Sequence, residues 1–236
     1  MQAVGSGMDW HPSPNFGPRR LGQRPDMVVL HHTAMRSADA ALARLCDPAA
    51  GVSAHYLIAE NGKISQLVAE ELRAWHAGAG AWGRIRDVNS HSIGIELANA
   101  GPLLRFPPFS EPQMAALESL LGSVLERWSI PPERVIAHSD MAPMRKSDPG
   151  AKFDWPRLAR SGLSVWPETT GRANFIQAAT AFGYVLPDGE NAEAAILTAF
   201  RLRFRPGVAG PLDDIDRALI ADLARRYPVD LGLGSA

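Results

Sequence analysis

Short apolar runs alternate with segments of helical periodicity over the first 165 residues of the chain. Continuous apolar runs and regular alternation of apolar with polar positions are typical of strands, and Asn61-Gly62 between two such runs predicts a hairpin turn. The predicted strands cover residues 27–30, 53–60, 63–68, 92–98 and 135–137. Because helical segments separate most of these strands, the pattern predicts an α/β fold with a mixed central β-sheet flanked by helices.

Apolar residues at intervals of three and four predict the helices of this region. The clearest predicted helix covers residues 111–128, where Met114, Leu117 and Leu121 belong to one apolar stripe. Shorter helices are predicted over residues 37–46 and 154–161.

The pattern changes near residues 164–172, beyond which helical segments are separated by stretches rich in Pro and Gly. The three helices predicted there cover residues 173–185, 192–204 and 213–227. Residues 1–25 are rich in Pro, Gly and Arg and have no clear period, which favours an extended arm on the surface. We therefore predict an N-terminal extended arm (1–25), an α/β domain (26–165) and a small three-helix C-terminal domain (170–236).

Composition excludes several classes of protein. Apolar residues make up 46% and charged residues 21% of the chain, as in ordinary globular proteins, and the net charge of −1 does not favour nucleic acid as a partner. The single cysteine, Cys46, excludes an intramolecular disulfide and a cysteine-based zinc cluster. No apolar run approaches the ~20 residues that span a bilayer. The N-terminus lacks a secretory pattern, so we expect a cytoplasmic protein, or a periplasmic one if this sequence lacks its native signal.

Candidate chemistry lies at or near the ends of predicted strands. His31 and His138 each follow an apolar run, and Asp148 lies ten residues after His138. Two histidines and one aspartate can fill three positions of a zinc site and leave the fourth for water. Glu96, on the polar face of its strand, could accept a proton from such a water, and Lys146 could stabilise an oxyanion. Together these groups would suit metal-assisted amide hydrolysis.

Each of these residues also has a purely structural interpretation. A histidine at a strand end is often a hydrogen-bonded structural residue, and Asp148 before Pro-Gly is typical of a turn or a helix cap. Glu96 could pair with an arginine such as Arg86, and Lys146 could be a solvated surface charge. No compact His-Glu-x-x-His motif is present, so the pattern alone leaves the metal site undecided.

Five motifs in order carry a resemblance to a known family. They are VVLHHTA (28–34), SAHYLIAENG (53–62), AWHAG (74–78), SIGIELAN (92–99) and AHSDMAPMRKSDPG (137–150). Over residues 12–165 the chain resembles zinc-dependent N-acetylmuramoyl-L-alanine amidases of the AmpD and AmiD type, which are relatives of phage-lysozyme amidases and peptidoglycan recognition proteins. The C-terminal region resembles the three-helix peptidoglycan-binding domain that AmiD-type enzymes carry.

The resemblance implies a substrate, a cofactor and a set of site residues. The expected reaction is hydrolysis of the amide between N-acetylmuramic acid, or its anhydro form, and L-alanine of peptidoglycan stem peptides, in cell-wall recycling or turnover. One zinc ion is expected on His31, His138 and Asp148, with Glu96 and Lys146 as catalytic residues. The positions that match the expected substrate groove are His55, Trp75, His76, Asn99 and Arg145.

Some of these assignments stay open at this point. Trp75 could simply pack under its loop, and His55 could brace the site without touching substrate. Ala54 stands where phage-type relatives have a tyrosine, which leaves the acid/base role to Glu96, and no lipid-attachment motif is present. The expected partner is a peptidoglycan fragment or anhydro-muropeptide, and we expect a monomer. The alternative class is a binding module without catalysis, although such relatives lose a metal ligand and this chain keeps all three.

Overall fold

The computed structural model describes residues 8–229. Its strands are β1 (Asp9–Trp10), β2 (Phe16–Pro18), β3 (Met27–His32), β4 (Tyr56–Ile58), β5 (Ile64–Gln66), β6 (Leu72–Ala74), β7 (Ser92–Leu97) and β8 (Val135–Ala137). Six of them form one sheet in the order β1-β5-β4-β7-β3-β8, and β2 pairs with β6 separately. All pairs in the larger sheet are parallel except the β4–β5 hairpin, which confirms the predicted mixed sheet.

The described residues contain eight α-helices, of which six lie close to their predicted positions and the two four-residue helices were not predicted. They are α1 (Ala38–Leu45), α2 (Val88–His91), α3 (Glu111–Trp128), α4 (His138–Met141), α5 (Trp155–Arg160), α6 (Phe175–Phe182), α7 (Ala192–Phe204) and α8 (Asp214–Arg226), with short 3-10 turns at Arg20–Gly22, Pro48–Ala50, Gly101–Leu104 and Pro132–Arg134. Helix α3 begins where the Ser110 hydroxyl accepts a hydrogen bond from the Gln113 amide, and it ends at Ser129 in the left-handed conformation. Among the described residues, no helix is long and apolar enough to cross a membrane.

The inner strand β3 lies between two buried clusters. Val28 and Leu30 pack with the apolar stripe of α3 on one face of the sheet. Met27 and Val29 point to the other face, where they share a cluster with residues of α6, α7 and α8. The C-terminal helices therefore cover one face of the sheet, and whether residues 170–236 also fold as an independent domain stays a prediction.

The described part of the N-terminal arm is extended but is not confined to the surface. Strand β1 adds to the edge of the larger sheet, and β2 pairs with β6. Ser13, Asn15 and Arg19 are buried, and the Arg19 guanidinium donates hydrogen bonds to the carbonyls of Glu70 (2.7 Å) and Ser90 (2.9 Å). A composition rich in Pro, Gly and Arg favoured an arm on the surface, but buried carbonyls that need donors draw this arginine inside.

Candidate metal centre and active site

Strand parity brings three functional side chains to one face of the sheet. His31 follows Met27 and Val29 at intervals of two, so it lies on the face of the C-terminal helices, and Glu96 is its register partner on β7. His138 begins α4 directly after β8, which runs parallel to β3. Because carboxyl ends of parallel strands meet at one edge, these side chains converge there.

The two histidines meet Asp148 in a tight group. His31 Nδ1 lies 2.9 Å from His138 Nδ1 and 3.2 Å from Asp148 Oδ2, and His138 Nδ1 lies 2.9 Å from the same oxygen. All three residues are buried, and they are a group of the described chain that could hold a metal ion.

The other contacts of the histidines direct lone pairs into this group. His138 Nε2 donates to the Ala77 carbonyl oxygen at 2.9 Å, an arrangement that leaves Nδ1 as the atom able to bind a metal. Burial, followed by the neighbouring His138, lowers the pKa of His31 to about 4, which keeps that ring neutral at pH 7. Three acceptors in contact need a cation between them, and a set of two nitrogens and one oxygen suits zinc.

The loop after β6 forms one wall of the site. Arg145 Nη2 donates to the carbonyl of Ala77 at 2.8 Å and also to that of Ala79. Gly78 adopts φ +62°, and a Cβ there would lie 3.2 Å from Arg145 Nη2, so this position favours glycine. Arg145 thereby holds the same carbonyl that orients His138.

A cavity of about 410 Å³ opens beside this group, and His138 and Asp148 line it. Glu96 lines it, and its Oε2 is buried with no hydrogen-bond partner among residues 8–229. Burial, and then the charge of Asp148, raises the pKa of Glu96 to about 8, whereas Lys146 opposes the shift. A carboxyl with such a pKa can exchange a proton near neutral pH. Lys146 also lines the cavity.

The predicted groove residues divide into two groups. Trp75, His76 and Arg145 line the cavity. His32, which was not predicted there, also lines it, and its ring nitrogens have no hydrogen-bond partner in the described part of the chain. His55 and Asn99 are not among the lining residues.

His55 is fully buried, accepts a hydrogen bond from the Gly94 amide at Nδ1 (2.9 Å), and has Nε2 3.1 Å from the Leu72 carbonyl oxygen. The Asn99 side chain binds the Pro107 carbonyl and the Gly101 amide of the following loop. Both residues therefore brace backbone near the site, because their polar atoms are already paired.

The sequence pattern did not single out the buried pair of Asp140 and Arg203. Asp140, in α4, accepts hydrogen bonds from Arg203 Nη1 (2.7 Å), the Tyr184 hydroxyl (2.6 Å) and the Ala137 amide (2.8 Å). The pair therefore joins the C-terminal helices to the short helix that begins with His138. An aspartate two positions after a candidate ligand was the available signal, but its partner lies 63 residues away.

Comparison with known proteins identifies the family. The family model of N-acetylmuramoyl-L-alanine amidases matches residues 21–151. The chain is 38% identical to the amidase AmiD of Escherichia coli strain K12, over 88% of this chain and 85% of that protein. It is 32% identical to the 1,6-anhydro-N-acetylmuramyl-L-alanine amidase AmpD of Salmonella typhimurium strain SL1344, over 67% of this chain and 92% of that protein.

Two solved structures match nearly the whole chain. AmiD of E. coli in complex with anhydro-N-acetylmuramic acid-L-Ala-D-γ-Glu-L-Lys has a TM-score of 0.79 at 33% identity, covering 93% of this chain and 94% of that one. AmpDH3 of Pseudomonas aeruginosa in complex with anhydromuramic pentapeptide has a TM-score of 0.79 at 32% identity, covering 97% and 100%. The family match, the extent of these similarities and the shared fold lead to one conclusion: this chain belongs to the N-acetylmuramoyl-L-alanine amidase family.

Proposed function

We propose that the protein hydrolyses the amide bond between N-acetylmuramic acid, or its 1,6-anhydro form, and L-alanine of the stem peptide, with one zinc ion held by His31, His138 and Asp148. The observation that carries the proposal is the convergence of these three side chains beside a cavity that Glu96 and Lys146 line. AmiD and AmpDH3 were solved with anhydro-muramyl peptides, which supports this substrate class.

Glu96 and Lys146 have different roles in the proposed reaction. A bound zinc ion supplies a Lewis acid and lowers the pKa of a coordinated water to about 7. Glu96 accepts a proton from the attacking water and delivers it to the L-alanine nitrogen as the C–N bond breaks. The Lys146 ammonium stabilises negative charge on the carbonyl oxygen and, with a nearby cation, favours the ionised form of Glu96.

The walls of the cavity support binding of a sugar-peptide ligand. Trp75 offers an aromatic surface, and Arg145 lines the cavity while it holds the 77–79 loop. A volume of about 410 Å³ accommodates a fragment of a muropeptide rather than a whole glycan strand. We therefore propose soluble anhydro-muropeptides as the preferred substrate, with a role in cell-wall recycling, and a peptidoglycan-binding role for residues 170–236 as the alternative that would favour polymeric wall.

The experiment measures release of stem peptide from anhydro-muropeptide by the full chain. We expect a chelator to abolish release, added zinc to restore it, and Glu96→Gln to reduce kcat by 10²–10⁴. Glu60→Gln, which changes an exposed glutamate, is the control and should match the unaltered protein. Near-full activity of Glu96→Gln would contradict the mechanism, whereas zinc-loaded protein that binds muropeptide without cleaving it would favour the recognition alternative.

Substrate preference is tested with the full chain on two substrates. Faster release from soluble anhydro-muropeptide than from intact sacculi, at equal bond concentration, supports the proposed preference. Faster release from sacculi would contradict it and would favour the peptidoglycan-binding role of the C-terminal helices.

A further inference from the structure

A line of hydrogen-bonded groups runs from a backbone carbonyl in α2 to the metal-binding histidine of β3. The Ser92 hydroxyl lies 2.6 Å from the Val88 carbonyl oxygen, and His76 Nε2 lies 3.2 Å from the same hydroxyl oxygen. At the other edge of the ring, His76 Nδ1 lies 3.0 Å from His31 Nε2. Both Ser92 and His31 are almost completely buried, and His76 between them is half-buried.

The carbonyl at one end determines the position of every proton along this line. A carbonyl oxygen only accepts, so the single Ser92 hydroxyl proton lies toward Val88. The Ser92 oxygen is then an acceptor toward His76, which requires that His76 carry its proton on Nε2. The neutral His76 ring therefore has a lone pair on Nδ1, and that lone pair accepts the proton on His31 Nε2.

This order of protons leaves His31 Nδ1 as the unprotonated nitrogen. That atom is the one that faces His138 Nδ1 and Asp148 Oδ2 at 2.9 and 3.2 Å. A neutral imidazole binds a metal only through its unprotonated nitrogen, so the line presents the correct atom to the site.

The strand backbone is shaped to admit the intermediate ring. A Cβ built on Gly94 would lie 2.4 Å from His76 Cγ, a distance that no side chain tolerates. Gly94 lies between Ser92 and Glu96 on the same face of β7. Because Gly94 has no side chain, the His76 ring can occupy the space beside it.

We propose that Ser92 and His76 are positioning residues that hold His31 in its Nε2–H tautomer, so that Nδ1 presents its lone pair to the metal. The inference rests on the proposed metal-binding role of His31 and assigns His76 a task beyond lining the cavity. Partners of this kind contribute 10- to 100-fold to metal affinity.

The test compares Ser92→Ala with the matched control Ser90→Ala. Ser90 is also a buried serine of the same segment, and its hydroxyl binds Asp87 Oδ2 (2.8 Å) and the Arg20 amide instead of His76. Long-range proton–nitrogen NMR on the metal-free full chain reports which ring nitrogen of His31 and His76 carries the proton. Titration with zinc ion against a chromogenic chelator reports the dissociation constant.

We expect Nε2–H on both rings in the unaltered protein. Ser92→Ala should produce mixed tautomers and raise the zinc dissociation constant about 10-fold, whereas Ser90→Ala should change neither. A proton on His31 Nδ1 in the unaltered protein would overturn the proposal, as would equal zinc affinities for the two variants. Failure of the unaltered protein to bind zinc would count against the proposed function, while the NMR measurement would still decide the tautomer.

Discussion

The buried pair of Arg203 and Asp140 allows a stability prediction with a magnitude. The Arg203 side chain is 0% exposed, donates to Asp140 Oδ2 at 2.7 Å and to the Val135 carbonyl at 2.9 Å, and stacks over the Trp155 ring with its guanidinium carbon 4.3 Å from the centroid. Arg203→Met keeps much of the apolar stem but removes the charge and its hydrogen bonds.

Loss of one partner from a buried ion pair costs about 3–5 kcal/mol, because the other charge stays buried without compensation. Asp140 keeps the Tyr184 hydroxyl and the Ala137 amide as donors, which favours the lower end of this range. We therefore expect Arg203→Met to lower the free energy of unfolding by about 3 kcal/mol, a large share of the total of about 5–15 kcal/mol typical of a domain.

Urea denaturation of the single variants Arg203→Met and Asp140→Asn and of the double variant measures this directly. The double variant leaves no unpaired charge. Its decrease in the free energy of unfolding should therefore be smaller than the sum of the two single-variant decreases by at least about 1 kcal/mol. Single losses below about 1 kcal/mol, or additive losses, would refute the reasoning, because both would mean that the buried pair contributes no coupling.

Three further predictions follow from particular contacts. In the metal-free protein the pKa of Glu96 is raised to about 8 from an ordinary value of 4.5. Because the folded protein holds this proton more tightly than the unfolded chain, the contribution of Glu96 to the free energy of unfolding is complete below pH 4.5 and is lost as the pH rises through 8. The stability of Glu96→Gln relative to the unaltered protein should therefore increase from pH 5 to pH 8 in urea denaturation with chelator, and a constant difference would contradict the shift. Gly94→Ala places a Cβ against the His76 ring and should cost about 1–3 kcal/mol in thermal denaturation, whereas Gly17→Ala, with open space at its Cβ, should cost less. Removal of residues 170–236 exposes the apolar face that Met27 and Val29 share with the C-terminal helices, so the shortened protein should lose solubility; a soluble product with an unchanged melting temperature would show that the face is not needed.

Local patterns predicted the mixed sheet, the longest helix and the strand face on which Glu96 lies. Helix α3 has the predicted bounds because its apolar stripe lies within the segment and its Ser110 cap directly precedes it. Alternation along β7 placed Glu96 on the face opposite Ile93 and Ile95, and the structure has it there, since a period of two is a property of any strand. The metal-binding assignment of His31, by contrast, needed the resemblance to a known family, because two adjacent histidines fit the strand end equally well.

Only the tertiary structure decided which polar groups meet. His55 and His76 were both expected near the substrate, but His55, just before β4, is buried against the backbone of β6 and β7, whereas the loop after β6 brings His76 to His31. Asp140 and Arg203 are 63 positions apart, and no local period relates them. The sequence by itself therefore determined the faces of strands and helices, which depend on neighbours along the chain. Two features depend on contacts between distant segments that only the packed fold brings together. They are the hydrogen-bonded line through Ser92 and His76 and the ion pair that joins α4 to the C-terminal helices.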